Sequence, residues 1–528
     1  MIISQPPSIF NDVMGPVMRG PSSSHTAASV RIGNLTKQFF KYDLASFSVE
    51  FESQGSLATT YKTQGSDFGL IGGLLWMELD DDRLLESAKI ANENNIAVNF
   101  SVTRFDAEHP NTYRVTAIDR IGNKYCLIFI STGGGMFELK EINGAPVSIK
   151  GDFFETLIFI DASNKDVLNK HMERINKLFP DPDYCIVVDG DRFILINIKT
   201  ESELPSFVRK VIELFEKVSA IVHLSPVLPV RSRKELKMPF SDENDLLIVA
   251  NEKELDLWKM AVHYEMERGG MLPDEVIQMA KHILQAMDCS VRTGLEGKEY
   301  KNRMLEPQAV KIFEYEGKII GGQVIKKIIT YTAAVMDAKS SMEVIVAAPT
   351  AGACGVIPGT LIAVAEEEGL EEDSALKGLL AASVIGIFIA NKSTFAAEEC
   401  GCQVECGSAS AMAAAGLVQM FGGTVQQSLT AAAIAIQNIM GLVCDPVAER
   451  VEVPCLGKNI LAAVNALACA NMSLSGFSNV IPLGETIDAF DKVGRMLPAE
   501  LRCTGGAGLS KTPSAQAWFR KLENQIED

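Results

Sequence analysis

FFETLIFIDASNKDVLNKHMERINKLFPDPDYCIVVDGDRFILINIK, residues 153–199, decides how this chain is divided. TLIFIDA (156–162), YCIVVDG (184–190) and RFILINIK (192–199) are apolar, β-branched runs closed by Asp, Gly or charged residues, which is a strand signature. KDVLNKHMERINKLF (165–179) instead repeats its apolar positions every three to four residues, which is a helical period. Further on, LPSFVRKVIELF (204–215) reads as a second helix and AIVHLSP (220–226) as a fourth strand. The order βαββαβ is that of a split βαβ unit, spanning 149–228.

Working outward, residues 1–148 mix Gly-rich turns with alternating strands such as TYRVTAIDR (112–120) and KYCLIFISTGGG (124–135), and predict an α+β N-terminal domain. On the other side, the polar stretch PVRSRKELKMPFSDEND (229–245) reads as a linker. Beyond it, Ala- and Gly-rich helical periodicity predicts a mainly α-helical C-terminal domain over 240–520. A chain of 528 residues exceeds what one hydrophobic core organises, in keeping with three units.

Hydrophobic residues at 47% and charged ones at 22% are those of a globular chain, and exclude disorder. A net charge of -18 with no basic run argues against nucleic acid, whose phosphates demand clustered Lys and Arg. The start MIISQPPSIFNDVMGP has neither the basic residues nor the apolar run of an export signal, so a cytoplasmic location is expected. Two uncharged runs, Val344 to Ala365 and Cys406 to Cys444, reach the length of a membrane span, about 20 residues. Internal prolines, glycines and amides favour buried core helices over membrane spans.

Eleven cysteines without an export signal point to thiol, metal or redox use rather than disulfides. Cys126, Cys185 and Cys289 stand among apolar neighbours and read as core residues. Cys400, Cys402 and Cys406 crowd into AAEECGCQVECGS, while Cys444 and Cys455 flank CDPVAERVEVPC. Structural zinc favours short paired spacings, which 402, 444 and 455 lack. Core packing remains open for Cys354, Cys406 and Cys469, and Cys400 competes with Cys402 as a ligand.

Polar loops supply the other candidates. His25 lies in GPSSSHT, where Ser22, Ser23, Ser24 and Thr26 can cap a helix or present hydroxyls and amides to an anion. Pro349, Thr350, Gly352 and Gly355 would let backbone approach a ligand, or else make a tight packing loop. Ser408 can cap the Ala-rich helix that follows or touch substrate, His109 reads as a turn residue, and Asp445 and Glu452 as solvated or capping carboxylates.

Seven ordered segments carry a resemblance: GPSSSHTAASVRIG (20–33), AEHPNTYRV (107–115), STGGG (131–135), APTAGACGVIPGTL (348–361), GCQVECGSASAMAAAG (401–416), GLVCDPVAERVEVPC (441–455) and LPAELRCTGGAGLSKTP (497–513). Together they resemble the bacterial iron–sulfur L-serine dehydratases. The resemblance implies a β-type domain over 1–148, an ACT-like, ferredoxin-like domain over 149–228, and an α-type helical domain over 240–520. It also implies a 4Fe-4S cluster on Cys402, Cys444 and Cys455, an open iron acting as Lewis acid, and L-serine as substrate. Ser22, Ser23, Ser24, Thr26, Thr350, Gly352 and Ser408 become candidate substrate contacts, with an amino-acid effector at the ACT-like domain. A homodimer is the prior for assembly.

Two departures qualify the transfer. Where many relatives have a histidine in a GHGTD-like segment, this chain reads KTQGSD with Gln64, which cannot act as a base, so the catalytic candidate becomes His25. Some relatives cap the free iron with a C-terminal cysteine, and the nearest candidate here is Cys503. Elimination from cysteine or threonine, or a non-catalytic amino-acid-binding regulator, are the alternative readings.

Overall fold

Alternation of side chains along the strands builds the first sheet. In the computed structural model, which describes residues 5–178, 182–190, 192–298, 300, 303–371 and 373–526, six strands run in the order Ala97–Thr103, Leu44–Glu52, Thr112–Asp119, Lys124–Gly133, Met136–Ile142 and Ala145–Ile149. Neighbours are antiparallel except Ala97–Thr103 on Leu44–Glu52. Tyr113, Val115 and Ala117, and opposite them Leu127 and Phe129, all face one core. Ile32 and Leu35 of the helix Ala28–Gln38, with Leu70 and Leu74 of the helix Ser66–Leu74, cover that face.

The two helices cross backbone to backbone. A Cβ on Gly73 would stand 2.0 Å from the Val30 carbonyl oxygen, and one on Gly33 2.2 Å from that of Leu70. Only glycine allows this approach. It holds the start of Ala28–Gln38, and the serine loop before it, in one place.

The middle region forms the expected βαββαβ unit. Its four strands lie in the order Val218–Leu224, Phe154–Asp161, Phe193–Thr200, Tyr184–Asp189, all antiparallel. Helices Leu168–Leu178 and Ser206–Glu213 cover one face. The helix expected over 165–179 begins as a 3-10 turn, Ala162–Val167, and Phe179 lies outside the described residues. Period two sends Ile158, Ile160, Ile196 and Ile198 to those helices, and Leu157, Phe159 and Leu195 to the core of the first sheet. Both faces are buried, which is why these strands read as continuous apolar runs.

The C-terminal region is helical, as expected. The helix Ser408–Met420 packs against Val356–Glu367, Ser374–Lys392, Val425–Ile439 and Cys455–Leu474, and is buried on all sides from Ser408 to Val418. Small Ala and Gly side chains permit that central position. The two uncharged runs are broken into shorter elements: Val344–Val346, Ala351–Ala353 and Val356–Glu367 in the first, and Ser408–Met420 and Val425–Ile439 in the second. Among the described residues, one helix, Ser374–Lys392, is long and apolar enough to cross a membrane, and 78% of its apolar window is buried.

Two expectations are corrected. Ile9, Phe10, Val13 and Met14 sit in the helical core, and Val17–Arg19 pairs antiparallel with Val344–Val346, so the first residues pack with the C-terminal body rather than with the first sheet. Their partners lie more than 200 residues away, beyond any local pattern. Cys289 is exposed, and Cys126 and Cys185 are half-buried, so none of the three is a fully buried core residue.

Candidate metal centre

Three segments deliver Cys402, Cys444 and Cys455 to one buried place. Cys402 follows the short helix Ala397–Cys400 in a turn clamped by Gln403, whose amide donates to the Phe490 carbonyl at 2.7 Å and accepts from the Gly441 N–H at 2.8 Å. Cys444 is stitched to the 501–503 segment: its N–H donates to the Leu501 carbonyl, and the Cys503 N–H donates to the Cys444 carbonyl at 3.0 Å. Cys455 is the first residue of the helix Cys455–Leu474, where the positive end of the helix dipole favours a thiolate. The Cys444 and Cys455 thiols hydrogen-bond Cys402 and, helped by Lys458, hold it well below the ordinary thiol range. The same interaction pushes Cys444 and Cys455 up. The three thiols are thus mutually hydrogen-bonded, close enough to serve one metal group.

Further donors surround it. Ligand atoms of Cys402, Glu405 and Cys444 lie within 4.8 Å of one another. Glu405 Oε2 stands 3.7 Å from Cys402 Sγ, and Oε1 accepts from Thr350 Oγ1 at 2.7 Å. Burial, then the Cys402 charge, raise the Glu405 carboxyl well above its usual range. Cys503, in the left-handed region at φ +62, brings a fourth thiol to Cys444. A buried set of three convergent thiols fits an iron–sulfur group, with one position left for another ligand.

The opposite wall comes from the N-terminal unit. Ser22, Ser23, Ser24, Gln64, Gly133 and Gly134 face Thr350, Gly352, Glu398, Glu405, Cys444, Cys455 and Cys503 across one small pocket. Gly133, Gly134 and Gly135 all have positive φ, which glycine adopts readily, and Gly133 and Gly134 bring bare backbone to the pocket. A Cβ on Gly134 would lie 3.3 Å from the Pro349 carbonyl oxygen, so the hairpin turn meets the 349–352 loop closely. The Ala351 N–H donates to Ser23 Oγ at 3.2 Å, joining the same loops.

His25 stands behind this wall, fully enclosed. Thr60 Oγ1 donates to the Ser56 carbonyl at 2.6 Å, so at 2.8 Å from His25 Nε2 it accepts. A neutral imidazole then leaves Nδ1 bare to accept from Ser22 Oγ at 2.9 Å. Burial lowers the His25 pKa to about 3, consistent with the neutral ring. Ser24 Oγ donates to Glu398 Oε1 at 2.9 Å, and burial raises the Glu398 carboxyl above its usual range.

Of the expected site residues, Ser22, Ser23, Ser24, Thr350, Gly352, Cys444 and Cys455 line the pocket, and Cys402 adjoins it. Thr26 instead donates to the Gln64 carbonyl at 2.9 Å, and Ser408 is buried at the start of its helix. Cys400 is pushed up to about 11 by burial, and the charges that act on it are those of Arg495, Asp491, Glu399 and Arg502 rather than of the trio, which separates it from Cys402. His109 is a turn residue facing Glu399 at 3.6 Å. Asp445 and Glu452 are not solvated: Asp445 pairs with Lys458 at 2.8 Å, and Glu452 accepts from the Met304 and Leu305 N–H groups.

Sequence reasoning missed Glu398, Glu405 and Asn459. Asn459 donates to the Gly352 and Cys455 carbonyls at 2.8 and 2.9 Å and accepts from the Gly355 N–H, tying the 352–355 loop to the cysteine helix. Its i+4 spacing from Cys455 was the available signal.

Comparison with known proteins adds an independent finding. The family profile described as serine dehydratase alpha chain matches residues 252–510. The chain is 38% identical over 289 residues to the probable L-serine dehydratase alpha chain of Bacillus subtilis, covering 54% of this chain and 95% of that one. It is 36% identical over 277 residues to the L-serine dehydratase alpha chain of Peptoniphilus asaccharolyticus, covering 52% and 94%. L-serine dehydratase 1 of Escherichia coli is 30% identical over 281 residues, covering 52% of this chain and 62% of that protein.

Proposed function

The chain belongs to the serine dehydratase alpha chain family, and on that premise we propose that it is an L-serine ammonia-lyase, converting L-serine to pyruvate and ammonia, with a 4Fe-4S cluster on Cys402, Cys444 and Cys455. One observation carries the reading: three thiols converge beside a buried carboxylate, opposite a wall of serine hydroxyls and glycine amides. When bound, a cluster on three thiolates supplies an open iron, a Lewis acid that assists departure of a hydroxyl.

The chain's own residues do the rest. The Gly133 and Gly134 amides and the Ser23 hydroxyl receive the substrate carboxylate, while the Ser22 and Thr350 oxygens, whose protons go to His25 and Glu405, accept from its ammonium group. Gly352 keeps the floor low, since a Cβ there would meet the Glu405 carboxylate at 2.2 Å. Glu398 takes the Cα proton, filling the place that Gln64 cannot. The Cα–H electron pair then forms the Cα–Cβ double bond as the Cβ–O pair leaves with hydroxide, which takes the proton back from Glu398 to become water, and the released aminoacrylate hydrolyses to pyruvate and ammonia without redox change. His25 holds the Ser22 hydroxyl, while Ser24 orients Glu398, so His25 acts one hydroxyl behind the substrate. Thr26 serves through the loop it anchors, while the Ser408 hydroxyl, buried with no hydrogen-bond partner among the described residues, is not a cap.

The strand order of the middle unit supports an ACT-like sensing module with an amino-acid effector, in a homodimer. Eleven unpaired cysteines suit the reducing cytoplasm. Turnover by anaerobically purified protein tests the function: pyruvate from L-serine is expected. Sulfide from L-cysteine or 2-oxobutanoate from L-threonine as the dominant product would reassign the substrate, and no turnover of any would leave a binding regulator.

A further inference from the structure

A second and larger space lies away from the cysteines. It is a partly open cavity of about 1130 Å³ where the N-terminal unit, the chain leaving the middle unit and the helix Pro273–Leu295 meet, against about 20 Å³ for the pocket beside the thiols. Small-molecule sites favour such junctions, with apolar walls and a few placed polar groups.

This cavity has both. Phe10, Met14, Met77, Val227 and Ile283 supply apolar surface, and Arg31 and His223 reach it from separate units. Arg31 is 3% exposed, donates Nη1 to the Gly135 carbonyl at 2.7 Å, and forms no ion pair with a carboxylate of the described residues. Its Nε is buried with no hydrogen-bond partner. His223 bonds Thr156 Oγ1 through Nδ1 at 3.0 Å, while its Nε2 is likewise buried without a partner. A buried guanidinium is almost always paired, so one that lines a cavity with no carboxylate partner points to a ligand with acceptor atoms. A guanidinium fork matches a carboxylate, and the apolar surface asks for an apolar body beside it.

The position matters as much as the chemistry. Arg31 lies on the helix Ala28–Gln38, which continues directly from Ser22–Thr26, about 9 Å of helix beyond His25. The carbonyl it holds, on Gly135, adjoins Gly133 and Gly134 of the thiol pocket. Anything bound to Arg31 therefore bears on two loops of that pocket at once.

We propose that this cavity binds a small amphipathic carboxylate, with Arg31 and His223 on its charged end, and that occupancy sets the position of the Ser22–Thr26 and Gly133–Gly135 loops. The test is calorimetric titration of the purified full chain with 4-phenylbutyrate, beside the neutral 4-phenylbutanol. The acid is expected to bind once per chain and roughly tenfold tighter than the alcohol, as a charge-assisted pair allows. Met279→Trp, filling the cavity from the Pro273–Leu295 side, abolishes binding, and Arg31→Met brings the acid to the level of the alcohol. Because Arg31→Met also frees Gly135, His223→Leu repeats the comparison from the other wall. Bound acid slows amide hydrogen exchange over residues 22–31 and 133–135. Equal binding of acid and alcohol, binding that survives Met279→Trp, or unchanged exchange in those loops overturns the proposal. The readout is binding rather than turnover, so its failure is distinct from failure of the serine reaction.

Discussion

Ser24 donates its hydroxyl proton to Glu398 at 2.9 Å, across 374 residues of sequence, and so joins the serine loop of the N-terminal unit to the wall of the cysteine pocket. The contact brings a proton acceptor into the site where the sequence offers only Gln64. Glu398→Gln keeps the shape and removes the base. It should lower kcat by about 10² to 10⁴ with a small change in KM, the range for loss of a general base. Steady-state kinetics check this, and an unchanged kcat would remove Glu398 from the mechanism.

The same carboxyl predicts a pH profile. Burial raises its pKa above the ordinary carboxylate range, and the base must be ionised to act. Activity should therefore fall on the acid side at a pH above that of an exposed glutamate, and Ser24→Ala, removing a donor to the ionised form, should move that limb higher still. A kcat profile for the parent and Ser24→Ala decides it; coincident acid limbs would contradict the link.

How far the sequence carried the reading depends on the range of each interaction. The βαββαβ unit was legible because its periods are local, while Cys402, Cys444 and Cys455 were singled out by family motifs, and the fold brings their thiols together. The packing of Ile9 to Met14 against the helical body was not, nor were Glu398 and Glu405 as pocket walls, since both depend on chain crossings that local pattern does not encode. His25 was singled out as the catalytic candidate, but its place behind the hydroxyls is set by Thr60 and the Ser56 carbonyl, neither of which any motif links to it.

Asn459 should matter more for activity than for cluster retention. Asn459→Ala cuts the tie between the Cys455 helix and the Gly352–Gly355 loop while leaving all three thiols. Supporting contacts of this kind are worth about 10- to 100-fold. Activity should drop by that order with iron content near the parent's; proportional loss of both would make its role structural.

Cys503 is held beside Cys444 in a strained left-handed conformation that costs about 1–3 kcal/mol. Cys503→Ala should leave the protein able to bind iron but shorten its survival in air several-fold, followed as loss of visible cluster absorbance. Equal decay in parent and variant would show that the thiol does not shield the open position.

Glu265 anchors the N-terminal segment, accepting from Ser8 Oγ and, at 2.8 Å, from the Ile9 N–H. Burial raises its pKa from 4.5 to about 7, so between those values the folded chain keeps a proton that the unfolded chain has released. Stability contributed by this group is present below pH 4.5 and is lost as pH rises through about 7, by up to about 3 kcal/mol. Thermal melts should show a fall from pH 5 to pH 7 that Glu265→Gln flattens; an identical slope in both proteins would place the titration elsewhere.

The central claim is that Cys402, Cys444 and Cys455 form the catalytic iron–sulfur site. Iron per chain and pyruvate released from L-serine, measured together on anaerobically reconstituted parent, Cys402→Ala, Cys444→Ala, Cys455→Ala and Cys400→Ala, test it most directly. Iron and pyruvate are expected in the parent and in Cys400→Ala, and loss of both in the other three. Iron retained in any of those three, or a parent that holds iron and releases no pyruvate, would contradict it.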